Sequence, residues 1–250
     1  MSDEEAQFNE EEEFGSDEEI VIEDDEDDEL FFKDEELILQ EQQIEENAIA
    51  EAEENKRKEE ELNDSLVERF NPSSAAARRL INDLKIMLKE DPQKLGFSCE
   101  PINNNIFTWK VKLFKFEEGT PMMEDMKKYE KQTGKNYVEM IMNFPDDYPM
   151  NPPFVRVVQP RFKPRTGRVT AGGSLCTDIL TSESWNPLYS IDSFLLNILS
   201  EILDGSPRID FSNTAPYSFQ EARNAYLRVA YDHGWKVPEW KAPTLTSNKK

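Results

Sequence analysis

Apolar residues change their spacing along this chain, and the changes divide it into zones. Residues 1 to about 33 show no period, only acidic runs such as 10–13 and 23–29. Such a stretch buries too little apolar surface to offset chain entropy, so disorder is expected. Residues 34–68 are rich in Glu, Gln, Ala and Leu, and Leu37, Ile38, Ile44 and Ile49 are irregularly spaced. That composition predicts a solvated helix at most. Residues 1–70 therefore read as a largely disordered acidic arm, with Pro72 at the entry to a folded domain over 71–240 and a flexible tail over 241–250.

Within the domain the period becomes clear. Leu80, Ile81, Leu84, Met87 and Leu88 mark a helix capped by Ser73 or Ser74 and ended at Asp91-Pro92. Strict alternation over residues 107–113 predicts a half-buried strand. The alternation slips at Phe114 and resumes on Phe116, which suggests a bulge. Residues 97–102, 137–144 and 154–158 complete an antiparallel meander of four strands. Ile191, Phe194, Leu195, Ile198, Leu199, Ile202 and Leu203 then fit a buried helix ended by Gly205. A last helix opens on a Ser218/Glu221 capping box and stops at Gly234, with Phe219, Ala222, Tyr226, Val229 and Ala230 on its inner face. The fold class is α+β, with helices packed on one antiparallel sheet.

Charge sharpens this division. Of 250 residues with net charge −23, residues 1–62 hold 29 acidic and 4 basic groups, which leaves the remainder nearly balanced. No stretch combines clustered Lys/Arg with aromatics, so nucleic acid is not an expected partner. No apolar run approaches a membrane span and the N-terminus is acidic, so neither membrane nor secretory targeting is expected. Cys99 and Cys176 are too few for a disulfide scaffold and read as reduced thiols in cytosol or nucleus. The lone His233 offers no metal-binding cluster.

Candidate chemistry concentrates in residues 159–189, an irregular stretch too long for a passive connection. It contains Ala171-Gly172-Gly173-Ser174-Leu175-Cys176. Glycines let a chain present the next side chain at a shallow surface, and a thiol there can act as a nucleophile. A lone cysteine between Leu175 and Ile179 can equally be a buried, inert hydrophobe.

The stretch over residues 144–153 (FPDDYPMNPP), the run over 174–180 (SLCTDIL), and Trp185-Asn186-Pro187 ahead of a helix resemble the ubiquitin-conjugating enzymes. The resemblance covers about residues 72–240. The glycine pair, residues 189–193 and Gly234-Trp235 with Pro238 resemble the Q-type subgroup in particular. This implies that Cys176 accepts ubiquitin, or a ubiquitin-like modifier, from an activating enzyme and passes it to a protein substrate with a ubiquitin ligase. The carboxyl stays activated throughout, so no cofactor or metal is implied. Asp178 stands where the family has an acidic residue that orients the incoming amine. Met150 and Pro187 fall on the two loops that meet ligases, while Arg78, Arg79 and Lys85 lie on the helix that docks the activating enzyme.

One departure is that Arg168 stands where most members carry the asparagine of a His-Pro-Asn motif. That leaves backbone N–H groups of the glycine loop or Asn186 as candidate oxyanion support. In the arm, Ile20, Val21 and Ile22 precede an acidic run and resemble a strand-adding ligand for the small modifier SUMO. Two other readings stay open: a catalytically silent scaffold, and an acidic arm that shields a basic protein such as a histone.

Overall fold

The structure is a computed structural model that describes residues 25–238 and Trp240. The SUMO-like triplet Ile20, Val21 and Ile22, and the tail over 241–250, lie outside the described residues. Helix α1 (Asp25–Phe70) spans the solvated helix expected over 34–68. Glu, Gln, Ala, Leu and Lys, which dominate residues 34–68, all have high helix propensity.

The chain divides into two compact units, one to Lys58 and one from Glu59. In the first, Leu37, Ile38, Leu39, Ile44 and Ile49 are exposed, and Lys58 pairs with Glu54 one turn earlier at 2.6 Å. In the second, Leu66 is buried and Leu62 and Phe70 pack on the core. The compact unit thus extends N-terminally of residue 71.

Helix α2 (Ala75–Lys89) starts where Ser74 accepts the Ala77 N–H at 3.0 Å. Asp91-Pro92 does end it, and Pro92 opens a further single-turn helix, α3 (Pro92–Leu95). The sheet has the expected order, β1 (Phe97–Ile102), β2 (Asn105–Leu113), β3 (Val138–Asn143) and β4 (Phe154–Gln159), each antiparallel to the next. The bulge expected at Phe114 is absent because β2 stops at Leu113. Register shifts fall instead at Pro101/Ile102 and Glu139/Met140.

A helix that periodicity did not predict, α4 (Pro121–Thr133), interrupts the meander between β2 and β3. Thr120 caps it and Gly134 ends it. Asp125 on α4 holds Arg208 through two hydrogen bonds, of 2.7 and 3.2 Å, and accepts the Ile209 N–H at 3.0 Å.

Helix α5 (Ile191–Asp204) buries Ile191, Phe194, Leu195, Ile198, Leu199 and Ile202, as its spacing predicts, while Leu203 remains exposed. Helix α6 (Phe219–His233) carries both halves of the Ser218/Glu221 capping box. The Ser218 N–H and Arg161 hold the Glu221 carboxyl down at about 2. Its buried side is Ala222, Ala225, Tyr226 and Ala230; Phe219 and Val229 are half-buried.

Candidate active site

The segment before Cys176 is a tight hairpin laid against the sheet edge. Val169 pairs antiparallel with Leu175, and the Cys176 N–H donates to the Arg168 carbonyl at 2.7 Å. Between them the chain turns, with Thr170 N–H on the Ser174 carbonyl at 2.8 Å and Gly173 N–H on the Thr170 carbonyl at 2.9 Å. The Thr170 and Ser174 hydroxyls lie 2.8 Å apart, and the Thr170 hydroxyl also accepts the Ser174 N–H. Arg156 of β4 pairs with Ser174, and the Val157 N–H donates to Gly173.

The two glycines serve different ends. Gly173 has φ +93°, and a Cβ there would lie 2.5 Å from the Tyr217 ring. Gly172 has no such torsion, but a Cβ on it would lie 2.3 Å from the Glu221 carbonyl oxygen and 2.7 Å from the Ala225 Cβ. Gly172 therefore lets the hairpin touch the backbone of α6. Gly172→Ala forces one of them to move and is expected to destabilise the chain by about 2 kcal/mol, an ordinary overpacking cost. Urea denaturation measures the loss, and an unchanged midpoint would show the contact to be slack.

Beyond the cysteine, Thr177 is extended and residues Asp178–Leu180 form one 3-10 turn. The Thr181 N–H closes it on the Asp178 carbonyl at 2.8 Å. Ile179 and Leu180 are buried, and the Tyr226 hydroxyl donates to the Leu180 carbonyl at 3.1 Å. Cys176 is half-buried between buried Leu175 and Thr177, and Asp178 is exposed. Burial pushes the Cys176 thiol above its ordinary value, and the Arg168 cation opposes this. Arg168, at φ 50°, spends its guanidinium on Glu201 at 3.1 Å and Asp204 at 2.8 Å. It is thus an ion-paired substitute at the asparagine's spacing, with no amide to offer.

Several of the candidate oxyanion donors are already committed. The Gly173, Ser174 and Cys176 N–H groups all donate within the hairpin. Asn186 shapes the turn by accepting the Leu188 N–H on its side-chain oxygen at 3.0 Å and the Tyr189 N–H on its carbonyl at 3.0 Å, and both contacts leave its side-chain NH2 as a candidate donor. His233 is exposed and stacks on Trp235, with centroids 4.6 Å apart.

The two loops over residues 145–153 and 182–189 are joined. Trp185 donates its indole N–H to the Pro149 carbonyl at 2.7 Å, and Ser182 donates to Asn151 at 3.0 Å. Met150 is 64% exposed, and Leu188, beside Pro187 and unremarked in the sequence, is 85% exposed. Two neighbouring loops thus present large apolar side chains on a fixed frame.

The three basic candidates on α2 differ. Arg78 is exposed. Lys85 donates to Asn63 at 3.1 Å and is half-buried. Arg79 holds the frame: it binds Asp83 at 3.0 and 3.1 Å, and donates to the carbonyls of Pro187 at 3.3 Å and Tyr189 at 2.8 Å. Tyr148 donates its hydroxyl to the same Asp83 at 3.1 Å. Its committed geometry makes Arg79 a buttress, which corrects its reading as an open docking contact. Asp83 was missed. Its signal was a carboxylate in phase with Leu80, Leu84 and Met87 on the apolar stripe of α2.

Comparison with known proteins fits this arrangement. A family model described as ubiquitin-conjugating enzyme matches residues 79–233. "Ubiquitin-conjugating enzyme E2 Q1" of Homo sapiens is 30% identical over 171 residues, covering 66% of this chain and 40% of that protein. "Ubiquitin-conjugating enzyme E2 25" of Caenorhabditis elegans is 33% identical over 174 residues, covering 66% of this chain and 44% of that one. The chain thus spans less than half the length of these relatives. Among solved structures, a ubiquitin-conjugating enzyme from Plasmodium falciparum aligns with TM-score 0.40 and 26% identity, covering 52% of this chain and 84% of that one. With the family model spanning more than half of its residues, the chain belongs to the ubiquitin-conjugating enzyme family, and its relatives place it with the Q-type members.

Proposed function

We propose that the domain accepts ubiquitin, or a ubiquitin-like modifier, as a thioester on Cys176 and transfers it to a protein acceptor. The observation that carries this reading is the presentation of Cys176. It is half-exposed at the end of a hairpin whose every neighbouring element is pinned, by the sheet, by α6 and by the 3-10 turn.

In charging, the Cys176 sulfur attacks the thioester carbonyl held by an activating enzyme. A new S–C bond forms, the old one breaks, and the activating enzyme's cysteine leaves as thiolate. In discharge, an amine nitrogen attacks the same carbon, the S–C bond to Cys176 breaks, and the amine loses a proton. Exposed Asp178 is the carboxylate next to the thiol in sequence that can attract and orient the amine. With the Gly173, Ser174 and Cys176 N–H groups spent within the hairpin, oxyanion support falls to the Asn186 side-chain NH2 or to a group on the modifier. Met150 and Leu188 form the apolar surface for a ligase.

Incubation with purified activating enzyme, ATP and ubiquitin tests the reading: a reductant-sensitive adduct is expected, and none would refute it. Asp178→Ala is expected to slow single-turnover discharge to lysine about 10²-fold, the lower range for losing a positioned acid–base group. It should leave charging nearly unchanged, since thioester exchange has no amine to deprotonate. Equal losses in both half-reactions would make Asp178 structural, and parallel discharge onto serine and threonine reads the acceptor class.

A further inference from the structure

The turn over residues 163–168 leads into the hairpin that ends at Cys176, and it is fixed at both ends. The Lys163 N–H donates to the Arg208 carbonyl at 2.8 Å, and the Gly167 N–H to the Gly205 carbonyl at 2.7 Å. The Thr166 hydroxyl donates to the Lys163 carbonyl at 2.9 Å and accepts the Arg208 N–H at 3.2 Å. Phe162, just before the turn, is buried and pairs antiparallel with Ile209. At the tip, Arg165 sits at φ 64°, a torsion that a non-glycine residue rarely holds unless its surroundings impose it. Arg165 is thus presented from a rigid frame, and it is exposed. Four cations lie on this turn and the segment over 205–209 that it docks against, and three of them face carboxylates. Arg168 is tied to Glu201 and Asp204, and Arg208 to Asp125 at 2.7 Å. Lys163 makes no such contact, but Asp125 and Asp210 feel its charge. Arg165 has no ion-pair or hydrogen-bond partner among the described residues.

We infer that Arg165 selects protein acceptors that carry an anionic side chain, a carboxylate or a phosphate, a few residues from the amine to be modified. This rests on the reading of Cys176 as the thioester carrier and names its acceptor class. The Arg168 carbonyl accepts the Cys176 N–H at 2.7 Å, so the turn starts directly opposite the thiol. Three peptide links of about 3.8 Å each keep the Arg165 Cα within about 11 Å of the Arg168 Cα, the span of three or four extended residues. The thiol therefore has opposite charges on its two flanks. Exposed Asp178 follows it and attracts an amine, while Arg165 precedes it and offers a planar fork of N–H donors to an anion. An acceptor with both charges is held at two points, which orients its amine toward the thioester carbon. A contact with so exposed an arginine is weak, so it grades acceptors rather than excluding any.

The test charges the full chain with ubiquitin and discharges it, in single turnover, onto acetylated peptides that carry one lysine. A glutamate, a glutamine or a phosphoserine stands two, three or four residues before or after that lysine. Charging is read first: no adduct would overturn the thioester reading, and this inference with it. With charging intact, an anionic peptide at its best placement is expected to react about three- to fivefold faster than its glutamine counterpart at subsaturating concentration, the size of an exposed ion pair. Whichever of glutamate and phosphoserine gains more names the anion the turn prefers. Arg165→Asn removes the charge and keeps a residue that tolerates positive φ, so the ratio should fall to about one. Raising the salt to ~1 M should shrink it likewise. A ratio near one for both anions at every placement, a preference that survives Arg165→Asn, or one indifferent to salt would overturn the inference and leave the thioester reading standing.

Discussion

Cys176→Ser is expected to turn a reductant-sensitive ubiquitin adduct into one that survives reductant, since an oxygen ester resists thiol exchange. Cys176→Ala should carry no adduct at all. Cys99→Ser should charge as the unaltered chain does. The contrast has a physical basis in where the two thiols sit. Cys99 lies in β1, where burial, with Glu100 adding to it, pushes its thiol up to about 12. It is protonated throughout the working range. Burial also raises the Cys176 thiol, but Arg168 opposes the shift and the side chain reaches the surface. A raised thiol pKa means that the reactive thiolate is a minority at neutral pH, so charging should accelerate as pH rises through the alkaline range. Gel analysis of charging with and without reductant, repeated over pH, reads all of this. An adduct that persists on Cys176→Ala would place the thioester elsewhere.

Much of this was legible because local and global signals agreed. The alternation over residues 107–113 produced β2, whose buried positions include Trp109, Val111 and Leu113. The Ser218/Glu221 box and Gly234 fixed α6 at both ends, because caps are written in consecutive residues. Helix α4 was missed although Thr120, Pro121 and Gly134 punctuate it. Its buried positions, Met122, Asp125, Met126 and Tyr129, include a carboxylate whose partner Arg208 lies far along the chain, so the apolar stripe looked broken. The same blindness applies at the site. The motif around Cys176 was readable as a resemblance. The contact of Gly172 with the α6 backbone was not, because it depends on how distant segments dock. Nor could the spacing show that Arg168 is tied to Asp204, or that the Gly173, Ser174 and Cys176 N–H groups are consumed.

Arg79→Ala is expected to cost about 3 kcal/mol at neutral pH, the low end for breaking a buried ion pair because Arg79 itself is partly exposed. Asp83 is buried at the centre of the network, and burial raises its carboxyl above the usual range despite the opposing pull of Arg79 and the Tyr148 hydroxyl. Removing the guanidinium deletes the largest opposing influence, so the carboxyl rises further. A group with a raised folded pKa favours the native state where it is protonated, and that contribution is lost as pH rises through its folded value. The variant should therefore be closest to the parent in mild acid and fall behind as pH increases, since a protonated Asp83 needs no cation. Arg79→Lys keeps the charge but loses the fork that reaches both Asp83 and the Pro187 and Tyr189 carbonyls, so it should recover only part of the loss. The loop bearing Pro187 and Leu188 should loosen in both variants. Urea denaturation across pH measures the stability difference, and hydrogen exchange at residues 187–189 reports the loop. A pH-independent loss with unchanged exchange would mean that Arg79 contributes only packing, and that Asp83 is stabilised by Tyr148 alone.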